Sequence, residues 1–247
     1  MRLMRQTNCK ICDKSILVDY DPESIDDPVI KRVLNGLWSQ VTCGPCATQA
    51  IQEKADRDKA ARQNERMESW KMICPLIYQE TDPNYPTLCK KAYRKAMAYQ
   101  FKGGKGLVLG GDSRSGKTRS AFDLLRREYM AGRSVKHIMA ASFSLWNRDA
   151  AKHGLRRWES EIKRPDILFI DDVGKAITGD GRGDYAESQF WAILETRFAH
   201  GLPVVLTIQQ SGEQMQERMS GEVGKAFVER IREFCDQIKF ETEKGDL

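Results

Sequence analysis

The chain has 247 residues, of which 40% are apolar and 30% charged, with a formal charge of +5. That is material for one full-sized core plus a small satellite module. No run of 18 apolar residues occurs, and Met1–Asn8 lacks the apolar centre of a secretion signal, so a cytoplasmic protein is expected, neither secreted nor membrane-bound.

The excess charge is local. Residues 1–50 and 106–247 each balance, whereas residues 51–105 carry 12 basic against 7 acidic side chains. Such a stretch suits nucleic-acid phosphates or an acidic protein surface, and equally a helix face turned to solvent.

The front of the chain holds two cysteine pairs, Cys9-Lys10-Ile11-Cys12 and Cys43-Gly44-Pro45-Cys46. A Cys-x-x-Cys knuckle aims both sulfurs at one ion, and two knuckles make a four-thiolate zinc site. The 30 residues between the pairs exceed the compact pattern, which a longer hairpin or an inserted helix accommodates. Cys-Gly-Pro-Cys is also a thioredoxin-like redox motif, although no strand-rich βαβ pattern precedes Cys43. Unrelated buried thiols are the other alternative. A module of about 50 residues buries little core, so bound metal would supply its folding free energy. Cys74, Cys89 and Cys235 stand alone, and the odd total of seven speaks against a disulfide framework.

From Ala47 to about Met72 the pattern is helical, with a thin stripe of Ala47, Ile51 and Ala55 and with i,i+4 pairs Glu53/Arg57 and Asp58/Arg62. This predicts an exposed connecting helix. Pro75, Pro83 and Pro86 then break the chain. The expected organisation is a zinc-ribbon-like module over 1–50, a helical linker over 51–80 and an ATPase domain over 81–247. A second helix, with Leu88, Ala92, Ala96 and Tyr99 on one face, ends at Gly103-Gly104.

A short buried strand, Gly106–Gly110, then runs into Gly111-Asp112-Ser113-Arg114-Ser115-Gly116-Lys117-Thr118, and an apolar helix bearing Ala121, Phe122, Leu125 and Tyr129 follows. This is the P-loop pattern in its proper context. Gly111 permits the sharp exit from the strand. Gly116 lets backbone N–H groups close on phosphate, and the helix N-terminus adds its dipole. Lys117 is expected to reach the β- and γ-phosphates of ATP, and Thr118 to ligate Mg²⁺. Asp112, Ser113, Arg114, Ser115 and Arg119 complete the expected nucleotide-binding set. Arg114 stands where a glycine is common, which predicts a stiffer loop tip.

A strand over Val135–Ile138 is followed, after Pro165, by Asp166-Ile167-Leu168-Phe169-Ile170-Asp171-Asp172. An apolar run ending in acids predicts a buried parallel strand with carboxylates at the ligand edge. Asp171 is placed to hold Mg²⁺ through water and Asp172 to polarise the attacking water. An acidic N-cap after a core strand would use the same residue types. A helix over 184–199 turns Phe190, Leu194 and Phe198 inward, and a strand over 203–208 ends in Gln209-Gln210. This order predicts a three-layer α/β nucleoside-triphosphatase core.

On these residues, the stretch from about 105 to 240 resembles the AAA+ ATPase of the bacterial DnaC/DnaI helicase loaders, with the IstB transposition ATPases as close cousins. The resembling segments are Gly111–Thr118, Asp166–Gly174, Leu194–Gln210 and Phe227–Phe240. The resemblance implies that Gln209 senses the γ-phosphate, in the place of a usual asparagine. It implies that Arg230, with Arg232 as fallback, is an arginine finger reaching a neighbouring subunit's nucleotide. From the residues alone Arg230 is one arginine on a helix. The resemblance also implies a helix near 143–157 that contacts single-stranded DNA, with Arg148, Lys152, Arg156 and Arg157 on phosphates. Phe143 and Trp146 there suit base stacking or core packing. The chain ends soon after the strand-like Gln237–Phe240, so no helical lid is expected.

Together these features predict an Mg²⁺-dependent ATPase with Lys117, Asp172, Gln209 and Arg230 as catalytic set. Its expected role is to load a replicative DnaB-type hexameric helicase in DNA replication, with single-stranded DNA and further copies of the chain as partners. An IstB-like transposition ATPase is the alternative. A small-molecule kinase would need an acceptor pocket and an arginine-bearing lid. A non-hydrolysing ATP switch would not need Lys117, Thr118, Asp171 and Asp172 all intact.

Overall fold

The computed structural model describes residues 3–20, 41–82, 84–142, 162–176, 183–218 and 222–241. Phe143, Trp146, Arg148, Lys152, Arg156 and Arg157 lie outside the described residues. The chain divides into two compact units, Met1–Glu65 and Arg66–Leu247.

In the first unit β1 (Leu3–Asn8) pairs antiparallel with β2 (Ser15–Tyr20), Asn8 opposite Ser15. The first cysteine pair occupies the connection. Cys9 N donates to Lys14 O at 2.9 Å, and Asp13 adopts φ 58, held by Asn8 Nδ2 donating to its carboxylate at 3.0 Å. Asp and Asn are the side chains that best tolerate this left-handed turn position. Helix α1 (Gly44–Ile73) starts inside the second cysteine pair.

The expected exposure of this helix holds for residues 48–65 and fails beyond them. Trp70 is fully buried, 6.3 Å edge-on from Phe122 and 5.6 Å from Tyr129, with Met67 and Ile73 packed beside it. Arg66 Nε donates to Tyr129 O at 3.1 Å. One large aromatic anchors the last two turns, and a contact that short leaves no periodic stripe to detect.

The second unit is built on five parallel strands: β3 (Gly106–Gly111), β4 (Val135–Met139), β5 (Ile167–Asp171), β6 (Val204–Ile208) and β7 (Cys235–Phe240). Their order across the sheet is β4-β5-β6-β3-β7. Both faces are covered, so the inner strands β3, β5 and β6 are nearly continuously apolar, whereas the edge strands β4 and β7 carry polar residues, and alternate residues serve opposite cores. On one face Leu107, Leu109, Phe169, Val205 and Phe240 pack against α2 (Lys90–Ala98), α3 (Lys117–Met130) and Trp70. On the other, Val108, Leu168, Ile170 and Leu206 meet α5 (Gly183–Ala199), α6 (Gly212–Arg218) and α7 (Glu222–Phe234), through Phe190, Leu194, Phe198, Met215 and Phe227. A short α4 (Val173–Ala176) follows the acidic strand.

The bottom of the sheet is stapled by Arg197, which is wholly buried. Its Nη2 donates to the carbonyls of Pro165, Asp166 and Pro203 at 3.0–3.2 Å, and its Nη1 to Ile162 O. Burial pushes its pKa down to about 10, against the pull of Asp166. The guanidinium fixes where β5 and β6 begin, and therefore where their tips end at the opposite edge.

Candidate nucleotide site and thiolate cluster

The strand order places β6 between the phosphate-loop strand β3 and the acidic strand β5. The three tips therefore form one edge. Gly111 leaves β3 at φ 126, and a Cβ there would run into the backbone oxygen of Phe240, whose carbonyl accepts Asp112 N at 3.0 Å. Gly116, at φ 91, adopts a conformation that favours glycine and lies against the Leu88 side chain. Arg114 has φ 61. A left-handed non-glycine residue costs about 1–2 kcal/mol, which gives the physical reason a glycine suits this position. Ser115 is fully buried, with Oγ donating to Asp112 O at 2.7 Å, while its carbonyl accepts Cys89 N at 3.1 Å. Its hydroxyl thus braces the loop from within.

Lys117 is also buried, with Nζ donating to the carbonyls of Gly111, at 2.8 Å, and Asp112. Burial lowers its pKa, and the carboxylates of Asp112, Asp172 and Asp171 work the other way. Thr118 Oγ1 donates to Asp171 Oδ1 at 2.9 Å. Thr207 Oγ1, from β6, donates to the same carboxylate oxygen and accepts Asp172 N at 2.7 Å. Asp172 has φ 59, and Gln209 Nε2 donates to its Oδ1 at 3.2 Å.

The structure thus brings Lys117, Thr118, Asp171, Asp172 and Gln209 into one cleft of about 960 Å³, together with Arg114, Gly116 and Arg119. That is the size of a pocket for a nucleotide-sized ligand. The Thr118 hydroxyl and the Asp171 carboxylate thus meet at the edge of the cleft, hard oxygen donors of the kind that would hold Mg²⁺, Thr118 directly and Asp171 through water.

Sequence reasoning missed the far wall, formed by Ile77, Tyr78, Tyr85 and Thr87, and missed Thr207. The segment around Pro75–Pro86 read as a domain break, yet it folds back onto the cleft. Arg119 lies over the rings of Tyr85, at 4.7 Å, and Tyr78, at 5.6 Å, and Nη1 donates to Glu80 O at 2.9 Å. Gly174, in the Asp-Val-Gly of the acidic segment, is pressed against the Gln210 carboxamide, where a Cβ would overlap it.

No protein-family model matches the chain, and no curated protein sequence matches it. Solved structures do. A replication initiator DnaA bound to AMPPCP and single-stranded DNA matches with a TM-score of 0.52 and 17% identity, over 62% of this chain and 46% of that one. AMPPCP-bound DnaA from Aquifex aeolicus gives 0.51 and 17%, over 62% and 46%. A DnaC helicase loader gives 0.50 and 16%, over 61% of this chain and 87% of that one. The chain spans about half the length of the DnaA structures. The fold is that of the AAA+ P-loop ATPases.

Arg230 does not join the cleft of its own chain. On α7, its Nε lies 3.0 Å from Glu195 Oε1 and its Nη1 donates to Glu233 Oε2 at 3.1 Å, with the guanidinium 5.7 Å over Phe234.

In the first unit, Cys9, Cys12, Cys43 and Cys46 converge, all four Sγ atoms within 4.8 Å of one another. Those of Cys12 and Cys43 are 3.7 Å apart. Zinc–sulfur bonds of 2.3 Å in a tetrahedron set sulfurs about 3.8 Å apart. Cys43 N donates to Cys9 Sγ at 3.3 Å, and Lys10 N to Val41 O at 3.1 Å, which joins the two pairs across 30 intervening residues. The backbone N–H groups of Cys43 and Cys12 lower the Cys9 pKa to about 6. Hydrogen bonds with the sulfurs of Cys43 and Cys12 push Cys46 up to about 12. This donor set fits a thiophilic divalent cation. A two-cysteine redox centre does not account for the first pair closing on the second. No helix among the described residues is long and apolar enough to cross a membrane.

Proposed function

We propose that this chain is an ATP-dependent loader of a DnaB-type replicative helicase, which responds to single-stranded DNA and hydrolyses ATP. The observation that carries the reading is the convergence of Lys117, Thr118, Asp171, Asp172 and Gln209 at the edge of an AAA+ sheet similar to that of a DnaC helicase loader. Residues 111–119 wrap the triphosphate, and Lys117 turns from the loop carbonyls to the β- and γ-phosphates. Thr118 would hold Mg²⁺ directly and Asp171 would hold it through water, and the ion would supply positive charge against that building on the phosphates. Asp172 orients and polarises the attacking water. Gln209 reports the γ-phosphate to Asp172, the group it already touches. Arg230 serves the cleft of a neighbouring copy. The four cysteines hold a structural zinc ion in a module over 1–50, followed by a helical linker and then the ATPase domain, which takes in Trp70 and Tyr78 as well as residues 81–247. This front module grips the helicase.

The test is retention of a purified DnaB-type helicase by the tagged chain, with and without ATP. ATP-dependent retention that disappears in Lys117→Ala is the expected result. No retention in any nucleotide state would overturn the loader role. Recovery of a transposase from the native cells instead would assign the chain to IstB-like transposition.

A further inference from the structure

Helix α2 has a face that the nucleotide cleft does not use. From Leu88 to Lys105 the chain holds six basic residues and no acidic one. Lys90, Lys91, Arg94, Lys95 and Lys102 are exposed and form no ion pair among the described residues, while Lys105 lies 3.6 Å from Asp236. The platform beneath them is firmly held. Ala92 and Ala96 are buried, Tyr93 Oη donates to Asp123 at 3.2 Å, and Arg127 donates to the carbonyls of Met97 and Tyr99.

These cations work against their own helix. Lys90 and Lys91 occupy the first turn, at the positive end of the helix dipole, with no acid there and no side-chain cap from Cys89. Lys90/Arg94 and Lys91/Lys95 are like-charged i,i+4 neighbours, which repel. A face evolved only for solvation gains more from mixed signs. A polyanion laid along the face removes both penalties at once.

We propose that the exposed face of α2, extended by Lys102, binds the phosphodiester backbone of nucleic acid without reading its sequence. A protein partner fits less well, because no aromatic or large apolar side chain is exposed between the cations of α2 to form a desolvated centre. The proposal rests on the replication reading only for supplying DNA as the ligand. The site lies on the rim of the cleft's scaffold: Leu88 and Cys89, just before α2, contact Gly116 and Ser115 of the phosphate loop.

The experiment measures binding of labelled single-stranded oligothymidylate, and of a duplex of equal length, to the full chain with ATP between about 50 and 200 mM salt. The variant is K90Q/K91Q/R94Q/K95Q, which leaves Leu88 and Cys89 in place. Its log-affinity against log-salt slope should be shallower by about 3 on single strands, and its low-salt affinity lower by roughly tenfold or more. Basal ATP turnover should not change, which also shows that the variant folds. The charge-keeping K90R/K91R/K95R should retain the wild-type slope, and the milder K91Q/K95Q should lose about half as much. The arm with the steeper wild-type slope and tighter binding names the physiological form, single-stranded or duplex. An unchanged slope in K90Q/K91Q/R94Q/K95Q would overturn the proposal while leaving the loader reading intact. Wild-type protein that binds neither nucleic acid would remove both this site and the DNA part of that reading. Unchanged DNA binding with loss of helicase retention would assign the face to an acidic protein surface instead.

Discussion

One hydroxyl, that of Thr207, ties the Asp171 carboxylate to the Asp172 backbone. It donates to Asp171 and accepts the backbone N–H of Asp172 at 2.7 Å, and its side chain is buried. Asp172 sits at φ 59, a conformation that costs a residue with a Cβ about 1–2 kcal/mol. The bond to Thr207 offsets part of this and aims the Asp172 carboxylate at Gln209, two residues along the same strand face. Thr207→Val keeps the shape and deletes the hydroxyl. It should cost about 1–3 kcal/mol of stability through the unpaired buried groups. ATP affinity should persist while kcat falls, and Thr207→Ser should restore kcat. Steady-state kinetics with a separate nucleotide titration checks this, and a wild-type kcat in Thr207→Val would remove its positioning role. Thr207 also marks where the sequence stops being legible. Asp171, Asp172 and Gln209 stand out because polar residues end apolar runs, but a threonine inside Val-Val-Leu-Thr-Ile is indistinguishable from ordinary β-branched strand filling.

Elements show the same division between local and distant information. The thiolate pairs were legible across 30 residues because ligand chemistry is carried by each Cys-x-x-Cys knuckle on its own. The burial of Trp70 at the end of α1 and the return of Tyr78 and Tyr85 to the cleft were not, because both depend on a partner, Phe122 or Arg119, far along the chain. The sheet order was equally hidden: strand existence follows from composition, but the insertion of β6 between β3 and β5 is a matter of crossovers. In the β1–β2 hairpin and the start of α1, Ile11, Leu17 and Ile51 are all exposed. Metal should therefore supply most of the stability of this element pair. One zinc ion per chain is expected by elemental analysis, and Cys12→Ser or a strong chelator should melt the hairpin, followed by amide exchange of residues 3–20. Less than about half an equivalent of zinc, with the four thiols freely titratable in folded protein, would reject the site.

At the scale of the whole molecule, the cleft holds a phosphate loop, two acids and an amide, yet Arg230 is elsewhere on the surface, partnered by Glu195 and Glu233. Its side chain is 41% exposed, so these pairs contribute little and are easily exchanged for another anion. Arg230 does not line its own chain's cleft, so the finger role proposed for it would be played on another copy of the chain. Arginine fingers raise turnover by about 10³–10⁵-fold where they act in trans. Arg230→Ala should therefore keep ATP affinity and lose turnover, and an isolated chain should be a poor ATPase. Mixing Arg230→Ala with Lys117→Ala should recover activity, since the first keeps a working cleft and the second keeps the finger. If the finger acts in trans, wild-type turnover should rise more steeply than linearly with concentration, because each active site would then need two chains. Self-repulsion at a net charge of +5 opposes assembly, and a polyanion that spans several copies would relieve it, so the steep region should move to lower protein concentration when single-stranded DNA is present. A strictly linear rate, unchanged by Arg230→Ala and by mixing, would place the complete site within one chain and leave Arg230 a surface residue.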